Sequence, residues 1–276
     1  MLKFVVQPGL CTNCGLCIAD CPSRIIETNG QKLPFIPAEN EGNCFRCQHC
    51  MAVCPTGAVS ILGLDPANSL TVSADAWPRL EQMSHLVRGR RSVRQYLARN
   101  VAPALIDRLL AELAYAPTGV NSRTLTLTVV DDKDQMDRLR ERVMRTLVDA
   151  QSTGRIPERA SYLQRVIAAY VERGTDVIFR GAPHALIVSA PPETLCGNED
   201  VTLALAYFEL LAQSAGLGTV WWGFFKAICE LLPEVKVLFS LPTGHHYYAM
   251  LFGHPSVRYA RTVQRDNTAA IRRVKA

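Results

Sequence analysis

Eight of the ten cysteines stand in two runs of identical spacing, and this doubling limits the fold more than any other feature of the chain. The first run is Cys11-Thr12-Asn13-Cys14-Gly15-Leu16-Cys17-Ile18-Ala19-Asp20-Cys21-Pro22. The second is Cys44-Phe45-Arg46-Cys47-Gln48-His49-Cys50-Met51-Ala52-Val53-Cys54-Pro55. An iron–sulfur cubane needs four thiolates converging on one small inorganic core. Three closely spaced cysteines wrap one cluster from a single loop, and the fourth points away to the other cluster. This assigns Cys11, Cys14, Cys17 and Cys54 to one 4Fe–4S cluster, and Cys44, Cys47, Cys50 and Cys21 to a second. Pro22 and Pro55 turn the chain after each outgoing ligand, because proline fixes φ and cannot extend a helix. Gly57 permits a tight backbone path nearby.

Other uses of cysteine suit the pattern less well. Zinc takes four ligands, usually in two pairs, and a disulfide framework belongs to secreted chains. The opening Met1-Leu2-Lys3-Phe4-Val5-Val6 is too short and too strand-like for a signal peptide. His49 lies between two ligands and reads as a surface residue, since the cysteines already suffice. The spacing is that of bacterial two-cluster ferredoxins, which the first 63 residues resemble.

A chain of 276 residues has room for a second domain after such a unit, with enough length left for a real core. The net charge of +5 comes without a long Lys/Arg run, so nucleic acid is not an expected partner. The most apolar stretch, 201–232, is interrupted by Glu209, Gln213, Lys226 and Glu230. It reads as core helix and strand rather than a membrane span. Reduced thiolates point to the cytoplasm.

Along the chain, residues 1–62 form a pseudo-repeat, with equivalent strands at Ile25–Glu27 and Ala58–Ile61 and a turn at Asn29-Gly30. Residues 64–84 read as linker and connecting helix, the helix covering 75–87. Pro103 opens a helix running to about Ala114, where its missing N–H is harmless. Leu125–Val130 is a buried strand. Asp132 with Gln135 starts a helix to about 149, and 158–173 is helical again. Ala185–Ser189 is a buried strand. Residues 199–215 form a helix apolar nearly all round, either core or dimer interface, ended by Gly216-Leu217-Gly218. Val220–Trp222 is a short strand, 223–231 a helix and Tyr247–Phe252 a strand. From Gly253 the tail is extended and basic. Strands separated by long helices give an α+β class. No G-x-G-x-x-G follows a strand, which disfavours a dinucleotide-binding Rossmann unit.

Arg90-Arg91-Ser92-Val93-Arg94 gathers guanidinium forks and a hydroxyl, groups that match phosphate oxygens. A solvated basic face is the plain alternative. The segment is followed by Ala116-Pro117-Thr118-Gly119-Val120-Asn121, Gly181-Ala182-Pro183, Gly216-Leu217-Gly218-Thr219 and Gly253-His254-Pro255. This ordered set resembles the nitroreductase family of flavin-binding α+β homodimers. The whole chain is similar to ferredoxin–nitroreductase fusions, with the flavin domain in 85–276.

The resemblance implies FMN. It places Arg90, Ser92 and Arg94 on the FMN phosphate, with Arg91 among the cofactor-binding residues and Arg261 as a further basic contact from the tail. It sets Asn121 beside the ring or ribityl chain, and Gly218, Thr219 and Trp222 on the segment passing near the ring N5. Pro117 and Thr118 belong to a cofactor loop that a dimer partner completes. Two features depart from the family: Arg123 stands where a glutamine is common, and Leu139–Arg180 is a long helical insertion. Trp221 and Trp222 also read as core aromatics, Cys196 and Cys229 as free buried thiols, and His245 and His246 as structural.

No Ser/His/Asp or Cys/His set suggests a protein nucleophile. Clusters pass single electrons, whereas a flavin handles one or two. Three readings stay open. The chain is an FMN-dependent reductase of nitro, quinone or enone acceptors fed by its own clusters, a flavin dehydrogenase exporting electrons through them, or an electron-transfer module without a substrate of its own. NAD(P)H or an external carrier could be the redox partner.

Overall fold

The computed structural model describes residues 1–265 and 269–274, so part of the basic tail at 258–273 lies outside the described residues. Contacts divide the chain into two units: Met1–Pro78 with Val120–Ser122, and Arg79–Gly119 with Arg123–Ala276.

The first unit is built from β1 (Val5–Val6), α1 (Leu16–Ala19), β2 (Glu27–Thr28), β3 (Pro34–Phe35), α2 (His49–Ala52) and β4 (Val59–Ser60). β1 pairs with β4 and β2 with β3, both antiparallel. Cys44 follows Cys11 by 33 positions, and the backbone keeps that period. Left-handed residues occur at Asn13, Gly15 and Arg24, and again at Arg46, Gln48 and Gly57. The repeat is therefore conformational as well as chemical, and Gln48 adopts a φ of 63° where its counterpart is glycine. Ile25 and Ile26 are buried but precede the strand, which pairs only from Glu27. The left-handed Arg24, whose N–H donates to the Cys21 carbonyl, ends the Cys-Pro corner first. The small core comprises Leu2, Ile25, Ile26, Met51, Val59 and Ile61 together with Cys17 and Cys50.

The second unit holds α3 (Leu80–Gly89), α4 (Pro103–Glu112), β5 (Thr126–Val130), α5 (Lys133–Ser152), α6 (Tyr162–Arg173), β6 (His184–Ala190), α7 (Gly197–Ser214), β7 (Gly218–Trp221), α8 (Gly223–Leu231), α9 (Glu234–Leu238) and β8 (His246–Gly253). Its sheet has the order β5-β6-β8-β7, with every pairing antiparallel. All seven residues of β6 are buried. Because side chains alternate across a sheet, Ala185 and Ile187 enter one apolar cluster with α5, α6 and α8. Leu186 and Val188 enter another, with α4 and α7. The sheet is thus covered on both faces, the α+β arrangement expected.

Local signals set most helix starts. Asp132 Oδ1 accepts from Gln135 N at 2.8 Å and caps α5. Pro103 occupies the first turn of α4. The helix expected over 75–87 begins instead at Leu80. Pro78 keeps Trp77 extended, as the residue before proline prefers, and the Arg79 N–H donates to Gln82 Oε1 at 2.8 Å to start the helix there. The strand expected over Val220–Trp222 starts two residues earlier, where Gly218 pairs with Gly253, and stops at Trp221 because Trp222 already caps α8. No helix among the described residues is long and apolar enough to cross a membrane.

Candidate functional site

In the first unit the eight thiols ring two small cavities. One is lined by Cys11, Cys14, Cys17 and Cys54. The other is lined by Cys21, Cys44, Cys47 and Cys50. The crossed sets foreseen from spacing are therefore the sets the fold brings together. Burial pushes the Cys50 thiol up to about 12, with Cys47, Cys44 and Cys21 adding repulsion. Cys17 is raised by burial too, and feels Cys54 and Cys11. A ligand core that binds thiolates offsets this repulsion by taking the place of the protons. Backbone N–H groups already face the sulfurs: Ala58 N donates to Cys54 Sγ at 3.2 Å, and Arg46 N to Cys44 Sγ at 3.3 Å. Among the described residues no three His, Cys, Asp or Glu groups are drawn around a single ion. A mononuclear zinc would bring four sulfurs to about 2.3 Å from one centre. Four thiols around each cavity match the four thiolates that a 4Fe–4S cluster takes. His49 is exposed and pairs with Asp20 at 3.1 Å.

In the second unit the segment after α3 is stitched to the sheet edge. Val93 N donates to the Thr219 carbonyl at 2.8 Å, and Ser92 bridges Thr219 in parallel. Further on, Leu97 N donates to the His254 carbonyl at 2.9 Å and Ser256 N to that of Gln95 at 3.0 Å. Close packing requires glycine at two of the motif positions. A Cβ on Gly218 would lie 2.6 Å from Val93 Cγ2, and one on Gly253 would lie 2.6 Å from Pro183 Cδ. Four of the five loose motifs are thus parts of one backbone junction.

The arginines of this segment diverge. Arg90 Nη1 donates to Glu209 Oε1 at 3.0 Å, and Glu209, on α7, is nearly buried. The Thr219 hydroxyl also approaches Glu209, at 3.4 Å. Arg91 Nε donates to the Arg90 carbonyl at 2.8 Å. Arg94 Nη1 donates to the Ser92 carbonyl at 3.2 Å, and Arg94 lines a cavity of about 380 Å³ with Tyr162, Val177, Ile178, Arg180, Trp221, Trp222, Gly223 and Phe224. Burial, and then the charge of Arg94, push the Arg180 guanidinium down.

The other expected contacts fall as follows. Trp222 is 2 % exposed, stacks on Phe225, and donates Nε1 to the Ile178 carbonyl at 2.9 Å. Its indole is committed to the core along one cavity wall. Trp221 is half-buried and packs edge-on against Tyr248. Pro117 is exposed, and the Thr118 hydroxyl accepts from Arg123 N at 3.1 Å. Gly119 N donates to the buried Asp200 Oδ1 at 2.9 Å. Asn121 belongs to the first unit, where Nδ2 donates to the Phe45 carbonyl at 2.8 Å. Arg261 is exposed in the tail. His245 Nδ1 lies 3.3 Å from the Ser189 hydroxyl, and His246 packs against Gly197. Cys229 is fully buried but Cys196 only partly.

Two charged side chains matter here without having been singled out from the sequence: Glu209 and Arg180. Arg180 directly precedes Gly181-Ala182-Pro183, the one local hint. Glu209 carried none, since a charged residue in an apolar helix reads simply as an interruption. Cationic forks beside aromatic walls fit a planar, anionic molecule, and the volume is that of a small-molecule site. The donor set therefore suits a flavin phosphate and ring.

Residues 87–254 match the model of the nitroreductase family, and residues 5–58 that of the 4Fe-4S dicluster domain. A relative from Methanothermobacter thermautotrophicus, whose name pairs NADH dehydrogenase with NAD(P)H nitroreductase, is 25% identical over 177 residues. That match covers 63% of this chain and 76% of the relative. An FMN reductase [NAD(P)H] from Bacillus subtilis is 26% identical over 176 residues, covering 62% of this chain and 65% of that protein. The crystal structure of a nitroreductase with bound FMN from Bacteroides fragilis superposes with a TM-score of 0.57 at 22% identity, over 70% of this chain and 99% of that one. At that identity the likeness speaks for the fold alone.

Proposed function

The chain belongs to the nitroreductase family, with a 4Fe-4S dicluster domain ahead of the family domain, and from this we propose that it is an FMN-dependent oxidoreductase of organic acceptors with a built-in iron–sulfur relay. Two 4Fe–4S clusters would be held by the crossed cysteine sets. FMN would be held by Arg90, Arg91, Ser92 and Arg94, with Pro117, Thr118, Gly218, Thr219, Trp222 and Arg261 completing its surroundings. The observation that carries the reading is the cavity between Arg94 and the β7–α8 turn, inside the family domain and flanked by a second guanidinium.

When bound, a flavin supplies the exchange between one-electron carriers and two-electron organic acceptors. The chain's own groups do the rest. Guanidinium forks match phosphate bidentately. Glu209 keeps the Arg90 guanidinium from swinging into solvent. Trp222, tied at its N–H, gives the cavity a fixed wall. Gly223 and Phe224 open α8 at the cavity, presenting the positive end of a helix to developing negative charge. The acceptors are nitro, quinone or enone compounds, and NAD(P)H or a carrier protein is the outside redox partner. A homodimer is the working state, in the cytoplasm, the compartment that keeps thiols reduced.

The test is to reduce the holoprotein anaerobically and mix it with a nitroaromatic. Return of the oxidised flavin spectrum is expected. A flavin that stays bleached refutes the reductase reading and leaves the clusters as an outlet. Independently, Arg94→Ala should weaken FMN binding by about tenfold, the size of one charge-assisted hydrogen bond. Unchanged retention of FMN would remove Arg94 from the phosphate site.

A further inference from the structure

The cavity of the second unit has two walls of different origin. One is the β7–α8 turn, Trp221 to Phe224. The other comes from the long helical insertion, from α6 and the loop that closes it: Tyr162, Val177, Ile178 and Arg180.

The position of Arg180 is built rather than incidental. The Asp176 carboxylate accepts from Phe179 N at 2.8 Å and Gly181 N at 3.0 Å. Its Oδ2 lies 3.1 Å from Arg140 Nε, and Arg140 Nη2 donates to the Ala182 carbonyl at 3.1 Å. These bonds hold Arg180 and Gly181 in consecutive left-handed conformations, at φ 58° and 66°. A non-glycine residue keeps such a conformation where its surroundings over-determine it. The turn presents a guanidinium to a cavity that Arg94 also lines. Asp176, the carboxylate nearest in sequence, is already committed to the loop and to Arg140. Among the described residues, no carboxylate lines the cavity. Two like charges around one space, with no acid between them, favour an anion there. The opening of α8, without a side-chain cap, adds to the same field. The remaining lining is mainly aromatic and aliphatic, suited to a flat conjugated body.

We propose that Arg180 is a specificity-determining residue that makes this site take an acceptor bearing a carboxylate on a conjugated ring. The inference rests on the oxidoreductase reading above and names its substrate class. Of the two arginines lining the cavity, Arg94 is the one assigned to the cofactor phosphate, which leaves Arg180 for a second negative group. A carboxylate accepts two parallel N–H bonds from one guanidinium, so acceptor orientation would be fixed together with affinity.

The experiment uses oxidised holoprotein and calorimetric titration with para-nitrobenzoate and para-nitrobenzamide, two ligands of the same shape that differ in charge. The parent protein should bind the benzoate at least about tenfold more tightly. Arg180→Gln, which keeps an L-residue in the left-handed turn, should erase that preference while retaining FMN. Arg180→Lys should keep part of it, since an ammonium supplies charge without the fork. Equal affinity for the two ligands in the parent, or binding of neither, overturns the proposal. So does release of FMN from Arg180→Gln, which would assign the residue to the cofactor. Because binding is read without turnover, a charge preference that survives when reduced protein fails to turn over nitroaromatics would sink the reductase reading and leave this assignment standing.

Discussion

The two units are held together by different physics. In the first, strands are two residues long and the helices four. Its buried side chains include the ligands Cys17 and Cys50 themselves. In the second, a four-stranded sheet is covered on both faces by apolar clusters that contain no candidate cofactor ligand apart from the edge of Trp222. The chemistry of the first unit is therefore also its skeleton. The site of the second is set on a skeleton that is complete without it. A small unit has little buried area in reserve, so cofactor and fold are expected to be coupled in one unit and separable in the other.

Iron removal is the most direct way to break this contrast. Anaerobic chelation should unfold residues 1–78 while β5, β6 and β8 keep their amide protection, as read by hydrogen exchange. Equal protection of both units after chelation would show that the small core suffices. Single ligands sharpen the point. Cys54→Ser removes a ligand that joins the two halves of the repeat, so it should lose about half the iron and loosen the unit as a whole. Cys14→Ser removes an exposed ligand from the same set. It should lose similar iron with less loosening, measured by limited proteolysis. Identical proteolysis of the two variants would deny the crossing ligand its structural role.

The converse test strikes the second skeleton. Phe252 is fully buried on β8, stacked on His184 and edge-on to Phe208. Phe252→Ala should cost about 3–5 kcal/mol of the second unit's stability and leave the cluster absorption untouched. Chemical denaturation followed at both signals checks this. Joint loss of the two signals would mean that the units unfold as one.

What could be read in advance follows the same division. Cluster ligands come from one short stretch because three thiolates of each cluster share a loop, so spacing alone carries the site. The arginine segment and Gly218 were legible as motifs, but their meaning as a single junction was not. Val93 and Thr219 are 126 positions apart and joined by a backbone bond. The roles of Glu209 and Arg180 were hidden for a related reason. Each acts through a partner or a cavity that only the closed sheet brings near. Gly218→Ala probes this junction at smaller scale. Its methyl would meet Val93 at 2.6–2.8 Å and push the arginine strand off β7, at a cost of about 1–3 kcal/mol. FMN affinity should fall with stability, and Val93→Ala in the same background should restore part of both. Unaltered FMN binding in Gly218→Ala would separate the junction from the cofactor.

The smallest effect concerns a histidine that belongs wholly to the skeleton. His184 is completely buried at the start of β6. Nε2 accepts from Val101 N at 2.9 Å, and Nδ1 lies 3.3 Å from the Val130 carbonyl. Those partners require the neutral ring with its proton on Nδ1, since a carbonyl can only accept. Burial accordingly lowers its pKa below the usual histidine value. In the unfolded chain the ring binds a proton as pH drops through about 6.5, whereas the folded ring resists until a lower pH. The unfolded state then holds more protons, so stability is full above about 6.5 and declines below it, by up to about 1.4 kcal/mol per pH unit. His254 is also lowered, by burial and then by Arg99, so the parent's slope alone does not isolate His184. His184→Gln offers an acceptor to Val101 and a donor to Val130 without titrating. The difference in thermal stability between parent and variant should narrow in the parent's disfavour as pH falls from 7 toward about 5. A difference independent of pH would mean that the ring takes up its proton alike in the folded and unfolded chains, and a parent that gains on the variant as pH falls would mean that the histidine is charged in the fold.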